Sequence, residues 1–144
     1  VTDFAPDVAH IMIGSNDMKR VADGLDMILL SAAEYEKDLA YLVSALTSRG
    51  SKVILTTIPP FDAPRVRAAF RVMNTRYEES DREAFNAIVR AQAARPGCAL
   101  NDMEPVYARY ATDEITRDDG LHLNPLGQRL LADAVLAKIL DGAK

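Results

Sequence analysis

The chain has 144 residues, 49% of them hydrophobic, enough for one domain (1–144) with a sizeable core and too few for two. Its formal charge of −4, with acidic and basic residues intermixed, forms no basic stripe for phosphates and so argues against a nucleic-acid partner. The single cysteine, Cys98, rules out an internal disulfide and reads as a small buried thiol, and the apolar runs fall far short of the roughly 20 residues that a membrane span needs.

The sequence starts at Val1-Thr2-Asp3-Phe4, with no methionine and no charged-then-apolar leader, as though upstream residues had been removed. Pro6-Asp7 then leads into Val8-Ala9-His10-Ile11-Met12-Ile13, a near-continuous apolar run that stops at Gly14. This is the pattern of a central parallel strand buried on both faces. Tyr35, Leu39, Leu42, Val43 and Leu46 recur at helical spacing between Ser31 and Gly50, with Glu36 and Lys37 opposite, which predicts an amphipathic helix ending at Gly50. Lys52 to Ile58 is β-branched and closed by Pro59-Pro60, as a second strand should be.

An arginine-rich stretch follows, Arg65 to Arg82, read as a solvated helix and loop with Ser80 as a helix cap. Phe85, Ile88, Val89 and Gln92 then take up a helical period as far as Pro96-Gly97, and this helix delivers a short strand, Cys98 to Asn101. Asn124-Pro125 has the form of a cap followed by proline at the first helical position. Leu126, Leu130, Leu131, Ala134, Val135 and Ile139 line the inner face of this last helix, and Gly142 ends it. Alternating strands and helices imply an α/β class with a parallel sheet packed as a sandwich, and ligands of such sheets bind beyond the carboxyl ends of the strands.

Two segments at that edge could carry chemistry. In Gly14-Ser15-Asn16-Asp17 the glycine permits a tight exit from the strand and the Asn16 amide is a donor suited to an oxyanion, although the same residues also suit a plain turn and helix cap. Asp119-Gly120-Leu121-His122 sets a carboxylate three residues before an imidazole, close enough to bond Nδ1 and leave Nε2 for a nucleophile; an Asp-Gly turn with a surface histidine is the other reading. His10 reads as a hydrogen-bonded core histidine. Two distant histidines and one cysteine make no metal-ligand spacing, and no glycine-rich phosphate loop occurs, so neither metal nor cofactor is expected.

Together the two segments resemble the SGNH (GDSL-like) hydrolases in order and setting. Pro6-Asp7-Val8 through Ile11-Met12-Ile13-Gly14-Ser15-Asn16-Asp17 is similar to that family's third block, and Asp119 to Asn124 and on to Gly127 is similar to its fifth. Less specific likenesses are Val53 to Pro60, and Phe85-Asn86 ahead of Asn101-Asp102. The resemblance implies a three-layer α/β/α sandwich with a flavodoxin-like parallel sheet. It further implies that Asn16 is an oxyanion-hole donor, Asp119 the orienting carboxylate and His122 the general base, with Asp17 structural, a cap on the next segment. Small acyl esters, acetylated sugars included, are the substrates it suggests, and insertions like Arg65 to Arg82 shape the substrate pocket in such proteins.

The departures concern the nucleophile. The family's Gly-Asp-Ser block and the oxyanion glycine of its second block are absent, and Leu123 stands where proline is usual. Ser44 and Ser48 fall within a helix and Ser51 at the wrong end of a strand, which leaves Ser15 and, less favourably, Ser31. The family's first strand would lie beside Val8 to Ile13, so without it that run is an exposed apolar edge that invites a partner strand. The expectation is therefore a serine ester hydrolase completed by upstream residues, or by a complementary chain; the alternative is a noncatalytic module that binds protein or carbohydrate.

Overall fold

The computed structural model describes residues 6–21 and 27–141; Val1-Thr2-Asp3-Phe4 and the expected helix end at Gly142 lie outside the described residues. A parallel sheet of order β1-β4-β6 forms the centre, from β1 (Val8–Ile11), β4 (Lys52–Thr56) and β6 (Cys98–Asn101). A small antiparallel sheet of order β3-β2-β5 stands apart from it, made of β2 (Arg20–Val21), β3 (Met27–Ile28) and β5 (Thr75–Arg76).

The helix α1 (Ala32–Thr47) starts where the sequence offers a capping box. The Ser31 hydroxyl accepts from the Glu34 amide while the Ser31 amide donates to the Glu34 carboxylate, together worth about 1 kcal/mol. It buries Tyr35, Leu39 and Val43 against one face of the sheet. On the same face lies α3 (Glu79–Ala93), whose Phe85 ring stacks on Tyr35 at 4.3 Å between centroids. With Val53, Leu55 and Ile58 these side chains form the larger core.

On the opposite face α6 (Pro125–Asp141) meets β6 and closes a second cluster of Met103, Tyr107, Ile115 and Leu123, between it and the short α4 (Glu104–Tyr107) and α5 (Thr112–Ile115). Asn124 caps α6 as its sequence suggests, its Oδ1 accepting from the Gly127 amide at 3.0 Å. Two apolar faces are open for one reason, the lack of a flanking element among the described residues. Among the described residues β1 pairs only with β4, so the run read as a central strand stands at an edge, with Met12 37% and Ile13 41% exposed, as expected of it without a neighbouring first strand. Likewise Leu126 and Ile139 on the expected inner face of α6 stay open to solvent, because α6 covers β6 but leaves β1 largely bare.

Three further readings are corrected. His10 is exposed on the bare sheet face, though hydrogen-bonded to Thr56 Oγ1 at 2.8 Å, and burial of its ring lowers its pKa. Glu78, not Ser80, occupies the cap position of α3. Within the arginine-rich stretch, which forms α2 (Ala63–Ala69), a 3-10 turn (Arg71–Met73) and β5, the last arginine is not solvated: Arg82 is only 8% exposed and bonded to Glu79, Glu104 and the Ile58 carbonyl. Cys98 is half-buried.

Candidate active site

The site is assembled from loops at the carboxyl ends of the parallel strands. After β1 the chain turns at Gly14, whose φ of +117° favours glycine and where a Cβ would lie 2.6 Å from Ile58 Cδ1. The turn closes through a hydrogen bond from the Met18 amide to the Gly14 carbonyl, with the Met18 side chain fully buried as its anchor. Tyr35 donates from its hydroxyl to the Ile13 carbonyl just before it; burial, aided by the Asp17 charge, raises the Tyr35 pKa and keeps that donor protonated. Asn16 is thereby held at the surface of a fixed turn with its side-chain amide free of protein partners among the described residues. Asp17 acts through its backbone, accepting from the Leu30 amide; the next described helix is capped by Ser31, so Asp17 is not the cap expected.

The loop after β4 is locked from beneath. The wholly buried Asn86 accepts from the Ile58 amide at 2.7 Å and donates to the Ile58 carbonyl and to Glu104. Arg90 joins Asp102 to Glu104, tying the end of β6 to α3. Partial burial works to raise the pKa of both carboxyls, but hydrogen bonds from Arg90 and their other donors outweigh it and hold both below their ordinary values. Sequence reasoning missed this network, although Asn86 stood in one of the weaker family likenesses.

On that base rests the loop that carries Asp119 and His122. Asp62 caps α2 by accepting from the Arg65 amide, and its own amide donates to the Gly120 carbonyl at 2.8 Å. Gly120 has φ +71°, and a Cβ there would come within 2.7 Å of Arg65 Cβ. So close an approach needs glycine at the corner. The turn directs both Leu121 and His122 amides onto Asp119 Oδ1 at 2.9 Å, while Asp119 Oδ2 accepts from His122 Nδ1 at 2.6 Å. Partial burial would raise the Asp119 pKa; the His122 bond and the two amides more than offset this and lower it. The His122 side chain is 62% exposed, and its Nε2 has no partner among the described residues.

Asn16 and His122, 106 positions apart in sequence, line one pocket of about 110 Å³. Its remaining wall comes from Phe70, Met73, Thr75 and Tyr77 of the former arginine-rich stretch, with Lys19 and Leu121. Phe70 stands edge-on to the His122 ring at 6.5 Å. No serine lines this pocket: Ser15 sits in the turn beside Asn16, Ser31 is committed to its cap, and Ser51 donates to the Pro6 carbonyl. Leu123, in place of the usual proline, is buried beneath α6. Among the described residues no group of three or more His, Cys, Asp or Glu is placed to hold a metal ion, and no helix is long and apolar enough to cross a membrane.

Several solved structures share this architecture. A lipase/acylhydrolase from Enterococcus faecalis is 25% identical with a TM-score of 0.73, the match covering 93% of this chain and 61% of that one. LAE5, an alpha/beta hydrolase enzyme from the metagenome of Lake Arreo, Spain, is 29% identical with a TM-score of 0.66, over 95% and 61%. The acetyl xylan esterase AlAXEase shares the fold at 23% identity and a TM-score of 0.70, over 93% and 67%. The chain thus spans about three fifths to two thirds of these structures. No curated protein matches it. Residues 1–130 match the GDSL-like Lipase/Acylhydrolase family, and with its α/β fold and parallel sheet the chain belongs to that family.

Proposed function

We propose that the chain is the base-and-oxyanion part of a serine ester hydrolase acting on small acyl or acetyl esters, its nucleophilic serine supplied from outside this sequence. The observation that carries this reading is the 2.6 Å bond from His122 Nδ1 to Asp119, on a histidine that shares its pocket with the free amide of Asn16. His122 Nε2 takes the proton of the incoming serine hydroxyl as its oxygen attacks the ester carbonyl. Asn16 donates to the resulting oxyanion, and a donor of this kind is worth about 10²–10³-fold in rate. The intermediate expels the alcohol, protonated by His122, and water then cleaves the acyl-serine by the same route.

The bare face supports an outside contribution. A groove of about 560 Å³ runs between α6 and the sheet, touching Val8, Lys52, Ile54 and Ile139, and a second of about 340 Å³ lies over His10, Val135 and Leu136. These apolar surfaces flank the edge of β1 that is unpaired among the described residues, where a further strand and its crossover would pack. The lack of a serine in the pocket favours a second reading, a module that binds without hydrolysing.

Short-chain nitrophenyl ester hydrolysis separates the two. A chain extended upstream should be active, the 144-residue chain nearly inactive, and His122→Ala in the extended chain inactive. An inactive extended chain, or one that works without His122, refutes the assignment. Hydrolysis by the 144 residues alone would instead point to Ser15.

A further inference from the structure

We propose that the cleft between α3 and the turn joining α4 to α5 binds a neutral polyhydroxylated ligand, a saccharide, apart from the pocket of Asn16 and His122. The two cavities have no lining residue in common. Binding there needs none of the roles given above to Asn16, Asp119 and His122.

The cleft is built from the exit of β4, from α3 and from the segment that follows β6: Pro60, Arg82, Glu104, Tyr107, Tyr110 and Thr112 line it. β6 is the edge of the parallel sheet opposite β1, so a further strand beside β1 would join the other edge and leave this one as it stands. The frame is fixed on several sides. The buried Tyr107 donates from its hydroxyl to the Gly127 carbonyl of α6, and the Tyr110 amide donates to the Tyr107 carbonyl. A Cβ at Gly127 would lie 2.4 Å from the Ile115 carbonyl oxygen, so α5 rests directly on the backbone of α6.

Its polar groups keep unused bonding capacity. The buried Arg82 commits Nε and one Nη2 hydrogen to Glu79 and both Nη1 hydrogens to the Ile58 carbonyl and Glu104, which leaves one Nη2 hydrogen over. Glu104 Oε1 accepts from Arg82 and Asn86, whereas Oε2 accepts from Arg90 alone and can take another donor. The Tyr110 and Thr112 hydroxyls have no partner among the described residues, and each can both donate and accept. Charge then selects the ligand. Arg82 and Arg90 face three carboxylates, Glu79, Asp102 and Glu104, so the surplus is negative and an anion is repelled; a cation finds every one of these carboxylates already bonded to an arginine. A hydroxyl can use the spare donor and acceptors without bringing a charge. The Tyr110 ring, with Tyr107 behind it, adds an aromatic wall whose electron-rich faces attract C–H groups. A sugar ring presents C–H groups on its faces and hydroxyls around its edge, and so matches an apolar wall with a few convergent polar groups.

The test is an amide NMR titration of the 144-residue chain with xylotetraose and cellotetraose, and with trigalacturonate as the anionic counterpart. At least one neutral sugar should shift the Tyr107, Ala108, Tyr110 and Thr112 amides along a saturating curve, with a Kd of about 1 mM or below, while trigalacturonate binds several-fold more weakly. Tyr110→Ala should weaken binding about tenfold, and Tyr110→Phe, which keeps the ring and loses only the hydroxyl, by less. Ala108→Trp puts a bulky side chain at an exposed position on the rim of the cleft and should abolish binding. It decides the matter should Tyr110→Ala fail to fold. Four results overturn the proposal: no saturating shift at several times that concentration, shifts centred on Leu121 and His122 or on any other surface, tighter binding of trigalacturonate, and unchanged affinity in folded Tyr110→Ala or Ala108→Trp. None of them bears on ester hydrolysis, so the cleft and the proposed catalytic roles stand or fall separately.

Discussion

Replacing Gly14 by alanine isolates the packing that holds the Asn16 turn. The new Cβ would stand 2.6 Å from Ile58 Cδ1 and 3.1 Å from the Tyr35 hydroxyl, in a backbone conformation of φ +117°. Ile58 is 1% and Tyr35 2% exposed, so neither can swing aside without disturbing the core. Holding an L residue there costs about 1–3 kcal/mol, and forcing a methyl into a packed site costs about 1–3 kcal/mol more. The sum, about 2–6 kcal/mol, is a large share of a domain's usual stability of about 5–15 kcal/mol. Gly50→Ala is the matched control, since Gly50 has φ +85° but nothing within 4 Å of its Cβ position. It should lose only the backbone part. Urea unfolding followed by circular dichroism should place the Gly14→Ala midpoint below that of Gly50→Ala by an amount equal to about 1–3 kcal/mol, with similar slopes. Equal midpoints for the two variants would show that the turn is not held by contact with Ile58 and Tyr35.

Asn86→Ala strands the buried Ile58 amide, so it should destabilise the protein by about 2–4 kcal/mol in the same assay; a loss below about 0.5 kcal/mol would mean that the β4 exit does not depend on this side chain. Asp102, Glu104 and Asp119 all have folded pKa values below their ordinary ones, so the unfolded chain binds more protons as pH falls through the carboxylate range. Their stabilisation is therefore present above about pH 4.5 and lost on acidification below it, and a urea midpoint that stays flat down to about pH 3 would contradict this. In an extended, active chain Asp119→Asn should lower kcat by about 10³–10⁴-fold by failing to hold the His122 tautomer, with little change in KM; retention of a tenth of the rate would remove Asp119 from the mechanism.

The local structure of the two segments proposed to carry chemistry was legible because each is local. An Asp-Gly-x-His turn closes its own hydrogen bonds within four residues, and Gly14 can be read as the exit from a strand wherever that strand lies. The same holds for α1, α3, β6 and the Asn124 cap, whose patterns depend on neighbours in sequence. Arg82 was misread because its charge spoke for solvent, while its burial depends on Glu104, 22 positions away and brought alongside only once β6 is paired. His10 and the inner face of α6 were misread for the converse reason: an apolar pattern states which side seeks cover and not whether cover is present.

The sequence by itself determined the family and the strand and helix alternation, and it singled out Asn16, Asp119 and His122 as the residues proposed for the site, since these rest on spacing and residue chemistry. Only the tertiary structure decided that Asn16 and His122 share a pocket, that Phe70, Met73, Thr75 and Tyr77 wall it, and that no serine enters it. A pocket is a relation between segments far apart in the chain, and it is set by the sheet and the core on which those segments come to rest.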